Sequence, residues 1–117
     1  MVSERLRAVM LRAAGAGELL GDGVRRGLAE HPVCGDRVQL TVRLAAGCIE
    51  DLRWQANGCP AAMAVAALAA QALPGAPLAD AAARLRQALD GHGGLAAHER
   101  HAEGLLLRAL AAATAHE

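Results

Sequence analysis

Arg37-Val38-Gln39-Leu40-Thr41-Val42-Arg43-Leu44 alternates polar and apolar side chains at every step. A period of two marks a strand with one buried face. Ala45-Ala46-Gly47 follows as a turn, and Ile49, Leu52 and Trp54 mark a second extended run, so the two are expected to form an antiparallel hairpin. A weaker strand pattern precedes them, at Val24 to Ala29. Upstream, Ser3 suits the N-cap of a first helix of about a dozen residues, with Leu6, Val9, Met10 and Ala13 as its apolar stripe. Gly15, Gly17, Gly21 and Gly23 are expected to loosen the chain between that helix and the sheet. Downstream, Asn57-Gly58-Cys59-Pro60 opens a helical region, with Cys59 at the N-cap and Pro60 at the first helical position. Met63, Ala66, Ala67, Ala70 and Leu73 follow at helical spacing until Pro74-Gly75-Ala76-Pro77 breaks the run. Leu78 to Leu89 reads as a further short helix, Asp90 to Gly94 as a flexible loop, and Ala96 to about Ala113 as the last helix. The expected class is α+β: an N-terminal helix, a small three-stranded antiparallel sheet, then C-terminal helices packed on one face.

The chain has 117 residues, read as a single domain over 1–117. Twelve basic residues, all arginine, balance twelve acidic ones. Zero net charge argues against a dedicated nucleic-acid binder. Trp54 is the sole aromatic residue among Phe, Tyr and Trp, which nearly excludes recognition of RNA or single strands by stacking. No apolar run reaches the roughly 18 residues of a membrane span. The first twenty residues set Glu4 and arginines among the apolar positions, unlike a secretory segment. The expectation is a cytoplasmic protein with no membrane and no nucleic-acid partner. Three cysteines, an odd count, argue against a disulfide framework and leave buried thiols or metal and sulfur chemistry.

His31-Pro32-Val33-Cys34-Gly35-Asp36 carries the strongest chemical signal, together with Cys59, 25 residues beyond Cys34. Cys34 lies in a Pro/Gly turn just ahead of a strand, with Asp36 two residues on. Cys59 opens a helix, where backbone N–H groups and the dipole favour a thiolate. Folding of the hairpin brings these residues to one end of the sheet. Two thiolates and a carboxylate there suit Zn²⁺ or iron. Two unrelated core cysteines are the alternative.

The run HPVCGDRVQLTVRL (31–44), followed by Ile49 to Trp54 and Asn57-Gly58-Cys59, resembles the iron–sulfur cluster assembly scaffold family, which includes the N-terminal domain of NifU and the IscU and SufU proteins. The resemblance covers about residues 23 to 112, nearly the whole chain. It implies a scaffold without turnover of its own that holds iron, a nascent Fe–S cluster or zinc. Cys34, Asp36 and Cys59 would bind it, and Asp36 would keep the cluster labile. A cysteine desulfurase would supply sulfur, apo Fe–S acceptor proteins would receive the cluster, and the scaffold could work as a homodimer. The chaperone-recognition run Leu-Pro-Pro-Val-Lys of IscU proteins is absent. So is the family's third cysteine, whose register falls on Glu103, while Cys48 sits in the hairpin connection at no ligand position.

Glu103 lies i−3, i−4 and i−7 to Leu106, Leu107 and Leu110, which puts it on the buried face of the last helix. It is therefore expected to replace the missing thiolate as a metal ligand, with His101 or water as alternatives at that place and an arginine ion pair as its bland role. His101 is expected to turn toward Arg108 or solvent. His31 and His92 are expected to be solvated, and Trp54 to be packing. Two other readings stay open. The run Glu99 to Leu105 is similar to the Arg-x-x-Gly-Leu stretch of SufE-type sulfur acceptors, and the chain could be a degenerate family member that serves as a binding partner. Cys59, His101 and Asp36 could also be written as a protease triad, although nothing in their spacing supports it.

Overall fold

The computed structural model describes residues 2–33 and 35–115. Three strands, β1 (Val24–Glu30), β2 (Arg37–Ala45) and β3 (Cys48–Asn57), form an antiparallel sheet in the order β1-β2-β3. Helix α1 (Glu4–Arg12) precedes the sheet; α2 (Pro60–Ala72), α3 (Ala81–Gly91) and α4 (His101–Thr114) follow it. Short 3₁₀ turns at Leu78–Asp80 and Ala97–Glu99 introduce the last two helices. This is the α+β architecture expected from the alternation in β2. No helix among the described residues is long and apolar enough to cross a membrane.

The β2–β3 hairpin turns through Ala46 and Gly47, both at positive φ (54° and 80°), with Ala45 paired to Cys48. Two left-handed residues make a type I′ turn, whose twist matches that of the strands. Val38, Leu40 and Val42 are fully buried and lie opposite Ala56, Trp54 and Leu52 of β3. These residues face the helices. Helix α2 lies at the centre of the core, with Ala61, Ala62 and every residue from Ala64 to Ala69 buried. A helix that is apolar on all sides is stable only when enclosed, and alanine lets its neighbours come close.

Close approach also explains Gly27 in β1. A Cβ there would lie 2.2 Å from the Ala109 carbonyl oxygen and 2.3 Å from the Ala113 nitrogen of α4.

The glycine-rich segment after α1 is not loose. The Gly15 carbonyl accepts the Trp54 N–H (3.0 Å), the Gly17 N–H donates to the Trp54 carbonyl (2.8 Å), and the Trp54 indole N–H donates to the Ala14 carbonyl (2.7 Å). The chain then crosses the sheet face opposite the helices, where the Leu19 N–H donates to Thr41 Oγ1 (2.9 Å). Edge pairing, invisible to a local reading of glycine content, supplies this order. Three boundaries also differ from expectation. α1 is nine residues long, α3 extends through Asp90 into Gly91, and the last helix starts at His101 rather than Ala96. His92 is held rather than solvated: its Nδ1 meets the Ala88 carbonyl (2.8 Å), and its own carbonyl accepts the Ser3 hydroxyl (2.5 Å).

Gly27→Ala is expected to destabilise the protein by about 2 kcal/mol or more, because α4 must move away from β1. Denaturant unfolding measures this; an unchanged midpoint would show that the β1–α4 approach can relax freely.

Candidate metal centre

Register places the site. Arg37 pairs with both Glu30 and Asn57, so the β1–β2 connection and the start of α2 share one end of the sheet. The connection closes on itself through the His31 N–H to the Asp36 carbonyl (2.8 Å) and the Gly35 N–H to the His31 carbonyl (2.9 Å). Asp36 is thereby delivered beside Gly58 and Cys59. Its carboxylate is 4% exposed, with Oδ1 accepting the Cys59 backbone N–H at 3.1 Å. Gly58 has φ +131°, and a Cβ on it would sit 2.2 Å from Asp36 Oδ1. Glycine is needed there on both counts.

Asp36 Oδ2 faces two further groups. The Cys59 thiol donates to it at 3.0 Å, and His101 Nε2 lies 3.1 Å away. Cys59 Sγ and His101 Nε2 are 3.6 Å apart, and the three donor atoms lie within 4.8 Å of one another. The edges of a tetrahedral Zn²⁺ shell with one S, one N and one O ligand are about 3.3–3.6 Å, calculated from the usual bond lengths. The arrangement is therefore close to a ligand set without rearrangement of the backbone.

Proton positions support that reading. His101 Nδ1 lies 3.1 Å from the His98 carbonyl, which can only accept, so Nδ1 carries the proton. His101 Nε2 then faces the Asp36–Cys59 corner, where an ion would meet it. Metal-binding histidines are commonly oriented this way, with the other ring nitrogen bonded to a backbone carbonyl. The His31 ring meets the His101 ring edge-on, centroids 5.1 Å apart, and His31 Nδ1 accepts the Val33 N–H at 3.3 Å. His31 is thus part of the site wall, contrary to the solvated role expected of it.

The same three residues could be written as a protease triad, but their geometry differs from one. In a triad, the nucleophile and the acid occupy opposite nitrogens of the imidazole. Here both Cys59 and Asp36 meet Nε2. Burial, with the hydrogen bond and charge of Asp36 next, pushes the Cys59 thiol above its usual range. An activated nucleophile needs the reverse.

Glu103 is not part of this group. Its Oε2 accepts from Arg86 Nε at 2.8 Å, across to α3. The buried residues of α4 are Ala102, Glu103, Leu105, Leu106, Ala109, Leu110 and Ala113, with Leu107 only half-buried, so Glu103 is buried as expected but turned to Arg86. Counting the alanines rotates the face from the leucine-only reading. Glu103 then borders α3, and His101, i−4 to Leu105, reaches the sheet end. No periodicity within α4 ranks His101 above Glu103, which is the buried residue of the two. Cys48 sits at the opposite end of β3, paired with Ala45 and bridged to Pro77, away from Cys59. Cys34, expected as a ligand, lies outside the described residues.

Residues 12–116 match the NifU-like N terminal domain family, and the chain belongs to it. Over 90 residues it is 33% identical to the iron-sulfur cluster assembly scaffold protein IscU 1 of Archaeoglobus fulgidus, covering 76% of this chain and 58% of that protein. Over 45 residues it is 40% identical to the zinc-dependent sulfurtransferase SufU of Bacillus subtilis, covering 38% of this chain and 31% of that one. The chain thus spans less than two thirds of the length of either relative. Its fold is that of the nitrogen-fixing NifU-like protein (N-terminal) from Brucella abortus, with a TM-score of 0.61 at 19% identity over 92% of this chain and 75% of the other.

Asp36→Asn removes the charge and one of the two oxygens that accept from the Cys59 N–H and thiol. In metal-free protein, alkylation of Cys59 followed by peptide mass spectrometry is expected to titrate at lower pH and to be severalfold faster at neutral pH. An unshifted profile would mean that burial alone governs the thiol.

Proposed function

We propose that this chain is an iron–sulfur cluster assembly scaffold domain that holds iron, a nascent cluster or zinc at the rim of the sheet. The convergence of Asp36 Oδ2, Cys59 Sγ and His101 Nε2 within 4.8 Å carries this reading. One soft sulfur, one borderline nitrogen and one hard oxygen suit Zn²⁺ and Fe²⁺. Cys34, two residues before Asp36, is the fourth donor on this reading. His101 takes the place of the family's third cysteine. With carboxylate and imidazole in the set, the site is harder than a three-thiolate one, which favours transfer of the cargo over retention. A cysteine desulfurase would supply sulfur, and apo Fe–S proteins would receive the cluster.

Cys59 gives up its thiol proton when the ion binds. Its raised pKa therefore makes apparent affinity rise with pH through the neutral range.

The 40% identical stretch shared with a zinc-dependent sulfurtransferase supports a second reading, in which Cys59 accepts sulfur as a persulfide. Incubation with a desulfurase and free cysteine separates the two. A visible Fe–S absorbance after iron is added marks the scaffold; a persulfide on Cys59 without a cluster marks the acceptor.

Zn²⁺ titration against a chromophoric chelator tests the ligand set. Cys59→Ser, Asp36→Ala and His101→Ala are each expected to weaken binding at least about tenfold. Glu103→Ala and Cys48→Ser should match the parent, since Glu103 is held by Arg86 and Cys48 lies at the far end of β3. Loss of affinity in Glu103→Ala equal to that in His101→Ala would overturn this assignment.

A further inference from the structure

A cavity of about 610 Å³ opens between α1, the start of α2 and the turn that precedes α4. Val2, Met10, Pro60 and Ala61 form apolar walls, and Cys59 and His101 close the end that meets the donor cluster. This volume is in the range of small-molecule sites, roughly 300–1,000 Å³. Its polar side chains are Arg7, Cys59, His98, Glu99 and His101. Glu99 is buried and occupied: Oε1 accepts the Ala96 N–H at 3.0 Å, and Oε2 lies 4.0 Å from His98 Nε2. Arg7 is different, an exposed guanidinium on the cavity wall with no ion pair among the described residues.

We propose that this cleft binds a small thiol that bears a carboxylate, with the carboxylate on Arg7, the methylenes against Met10 and Pro60, and the sulfur at Cys59 and His101. A guanidinium in a mostly apolar cleft selects an anionic oxygen group. Cys59 and His101, which line the same cavity, present sulfur and imidazole, donors that suit a metal able to take a further thiolate. What the sulfur meets there rests on the scaffold reading; occupation of the cleft does not.

Three probes separate the parts: 3-mercaptopropionate, neutral 2-mercaptoethanol and thiol-free butyrate. In metal-free protein, 3-mercaptopropionate should shift the amide resonances of Arg7, Met10 and Ala61, and Arg7→Ala should weaken it about fivefold or more. In Co²⁺-loaded protein, it should change the visible Co²⁺ bands at about one tenth of the concentration that 2-mercaptoethanol needs. Butyrate should leave those bands unchanged. Arg7→Ala should remove the preference and leave Co²⁺ affinity as it was. Unshifted cleft amides in the metal-free protein, or equal potency of the two thiols, would overturn the proposal. Failure to bind Co²⁺ would instead count against the scaffold reading, and the metal-free arm would still decide the cleft.

Discussion

The Asp36 carboxylate, 4% exposed at the end of the sheet, constrains everything around it. A buried carboxylate is expensive unless its oxygens are engaged. Oδ1 takes the Cys59 backbone N–H, and Oδ2 meets the Cys59 thiol and His101 Nε2. One side chain thereby joins the β1–β2 connection to the first turns of α2 and α4. Gly58 must lack a side chain because the carboxylate occupies that space. The extended N-cap geometry at Cys59 (φ −73°, ψ 157°) and Pro60 behind it then start α2 in the direction that carries it under the sheet.

A core almost without aromatic rings relies on close contact for its packing. Eight buried small or branched residues of α2 sit between the sheet and the other helices. Gly27 lets β1 touch α4, and Gly15, whose Cβ would fall 2.3 Å from Ala70 Cβ, lets the crossing segment touch α2. Dispersion summed over such contacts replaces the area that large side chains would bury. The same closeness brings the start of α4 to the sheet end and puts His101 within reach of Asp36.

The convergence of two groups on one imidazole nitrogen decides what kind of chemistry the site can do. A shared Nε2, with Nδ1 committed to a backbone carbonyl, suits a ligand and not a proton relay. The raised Cys59 pKa agrees with this, since a thiol that keeps its proton is a poor nucleophile. The adjoining cleft opens on Cys59 and His101, with Arg7 on its wall.

Much of this was legible in the chain. The alternation of Arg37 to Leu44, the Ala46-Gly47 turn and the Cys59-Pro60 start carry the sheet, the hairpin and α2, because each is a local signal of period or backbone preference. Asp36 and Cys59 were legible for the same reason, as residues that flank paired strand ends. Glu103 and His101 were not. Both open the same helix, and the sequence alone put the carboxylate at the site. Rotation of α4 is set by which small residues press against β1, and by Arg86 on α3 taking Glu103. Those are contacts between segments far apart in the chain, and helical periodicity cannot rank them. Local sequence determined which elements form and where the hairpin end lies. Tertiary packing decided which side chain completes the cluster there, because a helix's facing depends on its neighbours' surfaces and not on its own period.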